Sequence, residues 1–165
     1  MLCPACAFDN LAGADTCDNC GSELTGGVPQ PTLTFQGRLL GIRLGDLPVA
    51  DPDTIDVAAD AYDAIERMHR DDVDCLLVME GERLVGVFTD RDAVLKIAGR
   101  PGGRVAIRDV MTRDPVVLRH DDSLAIAIHK MAVGGFRHVP IVRNGRPTGV
   151  ISAKVIFAHL AERLS

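Results

Sequence analysis

Apolar residues recur in the first half of the chain at the spacings of a helix and of buried strands. Residues 56–69 have one apolar face, which predicts a helix. The run Cys75–Met79 has the length of a buried strand, and Arg83–Phe88 is predicted to return beside it as a hairpin across residues 80–82. A second helix is predicted over Asp90–Ala98. The apolar positions of the first helix are Val57, Ala61, Ala64, Ile65 and Met68.

The second half of the chain shows the same order of elements. After a lead-in over Ile107–Thr112, a strand is predicted over Pro115–Leu118 and a helix over Ser123–Val133, with Ser123 as its cap. A hairpin follows around Asn144 and Gly145, which together are a strong turn signal. The closing elements are the strands His138–Val142 and Pro147–Ser152 and the helix Lys154–Leu164.

A shift of 63 residues superimposes the two halves without a gap. It places Asp46 on Asp109, Ala64 on Ala127, and Met68 on Met131, and the register holds over more than fifty residues. An internal repeat of this length decides the architecture before local detail does. The sequence therefore predicts an α/β (α+β) fold built from two β-α-β-β-α units that form a module with approximate two-fold symmetry.

Composition limits the classes of protein that this chain can represent. It has 165 residues, of which 47% are hydrophobic and 25% charged, and its formal net charge is −5. A chain of this length and composition can form one ordinary core or two small fused cores. The negative charge argues against broad binding of nucleic acid. Neither an export signal nor a membrane-spanning run is evident, so we expect a cytoplasmic protein.

Two CxxC motifs, Cys3/Cys6 and Cys17/Cys20, lie near the amino terminus with ten residues between them. Four thiolates at this spacing fit a tetrahedral metal, and a segment this short needs the metal to fold. Two disulfides and iron are the alternatives, but disulfides suit exported chains, and we favour zinc. Cys75 lies in an apolar run and is predicted to be a core residue, as are Met68 and Met131.

The segment CPACAFDNLAGADTCDNCGSEL, residues 3–24, resembles the short zinc ribbons found at the ends of many bacterial and archaeal proteins. Such ribbons bind proteins or nucleic acids, and this one has four carboxylates and no Lys or Arg, so a protein partner is expected. Thr25–Gln36, which has two Gly, two Pro and no charged residue, is predicted to be a linker. We divide the chain into a ribbon at 1–24, a linker at 25–41, and repeat units at 42–102 and 103–165.

The segment GVFTDRD, Gly86–Asp92, predicts a strand that runs into a helix. Thr89 can cap this helix, whose free N–H groups suit an anion, and Asp92 in the first turn can accept hydrogen bonds from the two hydroxyls of a ribose. The two residues also form a capping box, which by itself only starts a helix. In the second copy, GVISAKV keeps the hydroxyl as Ser152 but has Val155 in place of the aspartate.

Residues from about 42 to 163 resemble a tandem pair of CBS domains, also called a Bateman module. The resemblance rests on GVFTDRD and DVAADAYDAIERM in the first copy and on IRDVMTRDPVVL, FRHVPIV and GVIS in the second. Such pairs are regulatory modules that bind AMP, ADP, ATP or S-adenosylmethionine between the two copies, and they often dimerise. The resemblance therefore implies an adenine nucleotide as regulatory ligand and a homodimer.

The resemblance also implies the residues of one ligand cleft. Asp92 is expected to bind the ribose hydroxyls, and Thr89 the ribose or a phosphate. Apolar residues are expected to hold the adenine, and Arg137 and His138 the phosphates. The full set is Val87, Thr89 and Asp92 from the first copy and Met111, Asp114, Val116, Phe136, Arg137 and His138 from the second.

The other cleft departs from the family pattern. Val155 replaces the ribose aspartate, Asp53 lies where the second copy has Val116, and Asp74 lies where it has Arg137. Carboxylates near a phosphate repel it. The loss of the aspartate also removes a charge-assisted hydrogen bond that contributes about 1.5 to 3 kcal/mol to binding. We expect this cleft to be empty or to hold an uncharged molecule.

No catalytic constellation is evident in the sequence, since no Ser, Cys or His has a recognisable base beside it and no phosphate-binding fingerprint occurs. We therefore expect a sensor of an adenosine ligand, not an enzyme, which signals to a partner through the ribbon. One alternative is a structural adaptor with vestigial clefts. Another is a regulator that binds nucleic acid through the ribbon, which would show strongly salt-dependent binding.

Overall fold

The computed structural model describes residues 2–3, 5–10, 14, 16–22, 24, 39, 41–100 and 102–164. The predicted linker at Thr25–Gln36 lies outside the described residues. The chain divides into two compact units, each assembled from separate stretches of sequence. One consists of Met1–Val49, Leu118–Val139 and Ile151–Ser165, and the other of Ala50–Val117 and Pro140–Val150.

A four-stranded sheet forms the centre of the unit that contains residues 50–117. Its strands are β1 (Thr54–Asp56), β2 (Cys75–Glu80), β3 (Arg83–Thr89) and β4 (Thr112–Arg113), in that spatial order. β1 is parallel to β2, and the other two pairings are antiparallel. The predicted hairpin of β2 and β3 is confirmed, with a register shift between Val78 and Met79.

The first helix, α1 (Ala61–Asp71), begins five residues later than predicted. Asp56 ends β1, and its carboxylate accepts a hydrogen bond from the backbone N–H of Ala58 at 2.8 Å, which holds the chain in a turn. The Asp60 side chain then accepts from the N–H of Tyr62 and caps the helix. These two local hydrogen bonds therefore start the helix at Ala61, although the apolar periodicity extends back to Val57.

The helix predicted over Asp90–Ala98 is present, but it changes character along its length. Asp90–Asp92 is α-helical, and Ala93–Ile97 continues as a π-helix, with the N–H of Ala98 bonded to the Ala93 carbonyl at 3.1 Å. We call this combined helix α2. A π-helical turn is rare and occurs frequently at functional sites.

Apolar side chains of this unit form two clusters. The larger one surrounds Phe88 and contains the buried face of α1, including Met68 as predicted. The smaller one contains Cys75, Leu77, Val87 and Val150. Cys75 is 4% exposed, and burial, followed by the negative charge of Asp74, raises the pKa of its thiol to about 12. The prediction that Cys75 is a core residue is confirmed.

The second copy contributes α3 (Leu124–Gly134), β5 (His138–Arg143), β6 (Arg146–Ser152) and α4 (Ala153–Leu164). Ser123 caps α3 as predicted, because its hydroxyl accepts from the N–H of Ile126 at 3.3 Å. β5 and β6 pair across Asn144 and Gly145, both of which have positive φ. The hairpin signal in the sequence is therefore confirmed.

The strand predicted over Pro115–Leu118 is wrong. The strand in this region is β4, three residues earlier, which pairs with Gly86 and Val87 of β3. Asp114 has φ 45° and turns the chain directly after β4, and Pro115 has no N–H to donate to a strand. Val116 is 41% and Val117 40% exposed, so these apolar residues do not form a buried strand.

Each unit is completed by a short segment exchanged between the two copies. In one unit, the N–H of Leu44 donates to the Asp122 carbonyl at 2.9 Å, and the N–H of Leu124 donates to the Ile42 carbonyl at 2.9 Å. In the other unit, Ile107 donates to Ala59 and Ala61 to Val105, at 2.9 and 2.7 Å. The second set of bonds is the first set shifted by one repeat. The repeat therefore extends to individual backbone hydrogen bonds.

Among the described residues, none of the helices combines the length and the apolar character needed to cross a bilayer.

Candidate functional site

The turn between β3 and α2 holds the residues that the sequence singles out. The N–H of Thr89 donates to Asp92 Oδ2 at 3.1 Å, and the N–H of Asp92 donates to Thr89 Oγ1 at 3.4 Å. This reciprocal pair is the predicted capping box. Gly86, earlier on β3, allows the lead-in of the second copy to approach, since a Cβ there would lie 2.5 Å from Met111 Sδ.

Asp92 is buried, with its side chain 9% exposed, and its carboxylate lies among donors from the described residues. Oδ2 accepts from the Thr89 hydroxyl at 2.9 Å as well as from its N–H. Oδ1 accepts from Thr112 Oγ1 at 3.1 Å and from the ammonium of Lys96 at 2.6 Å. The structure therefore adds Thr112 and Lys96 to the site.

Neither of these two residues was predicted from the sequence. Lys96 follows Asp92 by four positions on a helix, and this spacing puts the two side chains on one face, so it could have been found. The sequence predicts Thr112 only as the end of the lead-in. Its contact with Asp92 depends on the pairing of β4 with β3, which no local pattern indicates.

The other predicted residues of this unit occupy different positions. Val87 is buried in the cluster that contains Cys75. Met111 is 8% exposed, Asp114 is exposed, and Val116 lies on the irregular segment after β4. Met111 and Asp114 also line a cavity of about 270 Å³, whose other walls are Val57, Glu80, Arg83, Val85, Arg108 and Arg113.

Phe136, Arg137 and His138 belong to the other compact unit, at the entry to β5. Phe136 and His138 are half-buried, and Arg137 is exposed. The ring of Phe136 lies against Gly134, where any Cβ would overlap it. The carbonyl of Arg137 accepts from the N–H of Ala153 at 2.8 Å, which ties this segment to the start of α4.

The equivalent turn in the second copy keeps the cap but not the carboxylate. Ser152 Oγ accepts from the N–H of Val155 at 3.3 Å, as Thr89 does from Asp92 in the first copy. Asp53 forms an ion pair with Arg67 at 3.3 Å and is 41% exposed. Because residue 155 is a valine, the turn of the second copy has no carboxylate in the position that Asp92 occupies in the first.

The four amino-terminal cysteines come together in a compact cluster. Their sulfur atoms all lie within 4.8 Å of one another, and Cys3–Cys20 and Cys6–Cys17 are each separated by 3.6 Å. A disulfide requires about 2.05 Å between sulfurs. Sulfurs bound tetrahedrally to zinc at 2.3 Å would be about 3.8 Å apart. The cluster therefore fits a tetrahedral metal and does not fit two disulfides.

Amide groups surround the sulfur cluster. Asn10 is 5% exposed and donates to Cys17 Sγ at 3.5 Å, and Asn19 donates to Cys6 Sγ at the same distance. Burial raises the pKa of Cys6, and it raises that of Cys20 to about 12. Burial acts in the same direction on Cys17, but hydrogen bonds from the backbone of Cys20 and Asn19 outweigh it and lower the pKa to about 6.

Curated relatives are similar to the repeat region. The Bacillus subtilis protein YlbB is 34% identical over 113 residues, which is 67% of this chain and 76% of YlbB. The Arabidopsis thaliana CBS domain-containing protein CBSCBSPB5 is 31% identical over 112 residues, 66% of this chain. The present chain spans only 20% of that Arabidopsis protein.

Solved structures share the fold. The CBS-domain protein ATU1752 from Agrobacterium tumefaciens has a TM-score of 0.65 and 26% identity, covering 70% of this chain and 91% of that one. The CBS domain pair of MJ0100, in complex with 5′-methylthioadenosine and S-adenosylmethionine, has a TM-score of 0.67 at 20% identity, covering 73% and 97%. CBSX2 in complex with AMP has a TM-score of 0.63 at 23% identity, covering 76% and 100%.

The family model for the CBS domain matches the chain twice, over residues 44–99 and 107–162. These two matches correspond to the two copies of the repeat, each with its hydroxyl-capped turn after the second strand of the hairpin. The chain belongs to the CBS domain family and contains a tandem pair of CBS domains.

Proposed function

We propose that this protein is a regulatory module whose CBS pair senses an adenosine-containing ligand, namely AMP, ADP, ATP or S-adenosylmethionine. One ligand binds per chain, through Thr89 and Asp92 of the first copy together with Arg137, His138 and the apolar residues predicted from the sequence. The ribbon at 1–24 transmits the response to a protein partner, and the division into segments at 25–41, 42–102 and 103–165 is part of the proposal.

The observation that carries this proposal is the buried carboxylate of Asp92 in the first turn of α2. A carboxylate that is 9% exposed is costly unless it is hydrogen-bonded, and here it lies beside two hydroxyls that can rotate. The structural neighbours that hold AMP, S-adenosylmethionine and 5′-methylthioadenosine support an adenosine ligand. Val155 in the second copy supports a single site.

The test is titration calorimetry with AMP, ADP, ATP and S-adenosylmethionine. The substitution Asp92→Ala removes a charged acceptor worth about 1.5 to 3 kcal/mol, so affinity should fall tenfold or more. Asp90→Ala is the matched control, because Asp90 is an exposed carboxylate in the same helical turn. Absence of binding by all four compounds would favour the structural adaptor.

Two further variants test the assignment of the clefts. Arg137→Ala should weaken ATP binding more than adenosine binding, because the guanidinium is assigned to phosphate. Asp74→Ala should leave the occupied site unchanged and admit a second ligand if carboxylate repulsion is what empties the other cleft. Two equivalent sites in the unmodified chain would contradict this assignment.

We also propose that the ribbon holds one structural zinc ion, with Cys3, Cys6, Cys17 and Cys20 as its ligands. The sulfur separations of 3.6 Å support a tetrahedral site. Asn10 and Asn19 would donate to two of the sulfurs and orient them, which is the role of residues around a metal's ligands. The zinc would supply folding free energy that so short a segment lacks.

A further inference from the structure

Donors from the described residues occupy every acceptor position of the Asp92 carboxylate. An ionised carboxylate offers about four lone-pair sites. Among the described residues, the N–H and hydroxyl of Thr89 bond to Oδ2, and the hydroxyl of Thr112 and the ammonium of Lys96 bond to Oδ1. A ribose that donates two hydroxyls to Asp92 must therefore displace two of these donors.

The four donors differ in how each can give up its hydrogen bond to the carboxylate. The N–H of Thr89 is fixed in the helix cap, whereas the hydroxyls of Thr89 and Thr112 can rotate and accept a hydrogen bond instead. An ammonium can only donate, so Lys96 must leave Oδ1 when a hydroxyl takes its place. Its contact is the shortest of the four, at 2.6 Å, and it is charge-assisted.

Lys96 is held in this position by more than Asp92. Its ammonium also donates to the carbonyl of Val110 at 2.8 Å and to that of Met111 at 3.4 Å. These bonds account for its three donors. Lys96 is therefore fully hydrogen-bonded without ligand, at 37% exposure of its side chain, and it stabilises the lead-in that precedes β4.

The equivalent turn of the second copy lacks this entire cluster. One repeat further on, Val155 replaces Asp92 and His159 replaces Lys96, and Val49 corresponds to Thr112. The buried Nε2 of His159 has no hydrogen-bond partner in the described part of the chain. The lysine and the threonine thus occur only at the turn that carries the carboxylate.

We propose that Lys96 is an internal competitor for Asp92, so that the hydroxyls of a ribose diol compete with this ammonium for the carboxylate. This inference rests on the proposed function and names the residue that sets the ligand affinity of the same site. Lys96 should stabilise the ligand-free protein and at the same time weaken the binding of a diol.

The test compares AMP with 2′,3′-dideoxy-AMP in the unmodified protein and in Lys96→Met, by titration calorimetry. The two nucleotides carry the same phosphate, so any attraction between that phosphate and Lys96 cancels in the ratio of their affinities. Removal of a charge-assisted competitor should raise this ratio by about tenfold or more. Thermal denaturation without ligand should show a lower melting temperature for Lys96→Met.

Lys154→Met is the matched control, because it removes an exposed lysine from the corresponding helix of the second copy. It should change neither the ratio of the two affinities nor the melting temperature. If Lys96→Met does not fold, Lys96→Gln keeps a donor for the Val110 carbonyl and should show a smaller rise of the ratio.

An unchanged ratio, with AMP bound by the unmodified protein, would overturn this inference and leave the proposed function intact. Loss of both stability and AMP affinity would assign Lys96 a structural role only and would likewise overturn it. Binding of AMP by Lys96→Met alone would support both proposals. Absence of binding by either protein would overturn both.

Discussion

Ala7 occupies in the first CxxC knuckle the left-handed turn position that Gly21 occupies in the second. Ala7 has φ 57° and Gly21 has φ 71°. In both knuckles the N–H at this position donates to the carbonyl of the first cysteine, Cys3 or Cys17, at 2.8 Å. The two turns are therefore the same, but only one of them has the residue that the backbone conformation favours.

Ala7→Gly should stabilise the ribbon, because a left-handed residue with a Cβ costs about 1 to 2 kcal/mol. We expect zinc affinity to rise by about tenfold, measured by competition with a chromophoric chelator. Gly21→Ala is the reciprocal variant and should lower zinc affinity by a similar factor. Equal affinities for all three proteins would show that backbone strain at these two positions does not affect metal binding.

Zinc removal should affect the two parts of the chain differently. Elemental analysis of freshly reduced protein should give one zinc per chain, and chelation should unfold residues 1–24 while the repeats retain their structure, since the segments are predicted to be loosely coupled. Circular dichroism and amide exchange before and after chelation measure this. Absence of metal from the reduced protein would contradict the zinc assignment.

Gly134→Ala should reduce ligand affinity without unfolding the protein. Its new Cβ would overlap the Phe136 ring and force that ring away from its present position. Gly135→Ala is the control, because a Cβ there meets nothing within 4 Å and introduces only backbone strain at φ 66°. If both variants bind AMP as the unmodified protein does, Phe136 is not part of the adenine site.

The free energy of unfolding should depend on the Cys75 thiol above pH 9. Burial raises its pKa from 9.0 to about 12, so the unfolded chain ionises first and stability is lost as pH rises between these values. Between these two values, the Cys75 thiol lowers the free energy of unfolding by up to about 1.4 kcal/mol per pH unit. Urea denaturation of Cys75→Ala should show a shallower decline with pH, and a parallel decline would disprove the assignment.

Exposed apolar residues on α2 and α4 support the predicted homodimer. Val94 is 66% exposed and Leu95 69% on α2, and Phe157 is 74% exposed on α4. Leu95→Glu should therefore yield a monomer of 17.7 kDa by light scattering, whereas Val133→Glu, at an equally exposed position near the end of α3, should remain dimeric. A monomeric unmodified protein would refute the dimer.

Local patterns in the sequence were sufficient for the elements whose causes are local. The hairpin at Asn144 and Gly145, the cap at Ser123, and the capping box of Thr89 and Asp92 each depend on residues within a few positions of one another. The 63-residue repeat gave the fold class, because a duplicated unit keeps its hydrophobic pattern and its backbone pairing. The spacing of each CxxC turn also predicts that its two thiols lie together. The 3.6 Å contacts Cys3–Cys20 and Cys6–Cys17 join the two turns and depend on how the turns pack.

Only the tertiary structure decided which partners surround Asp92. Thr112 reaches it because β4 of the second copy pairs with β3 of the first, and such a pairing between distant segments leaves no periodic signal. The same holds for the exchanged lead-ins and for Asp114. Its left-handed backbone turns the chain directly after β4, before the apolar residues that predicted a strand. The sequence by itself therefore determined the repeat and the caps, whereas the hydrogen bonds of Lys96 and Thr112 to the carboxylate required the packing of one copy against the other's lead-in.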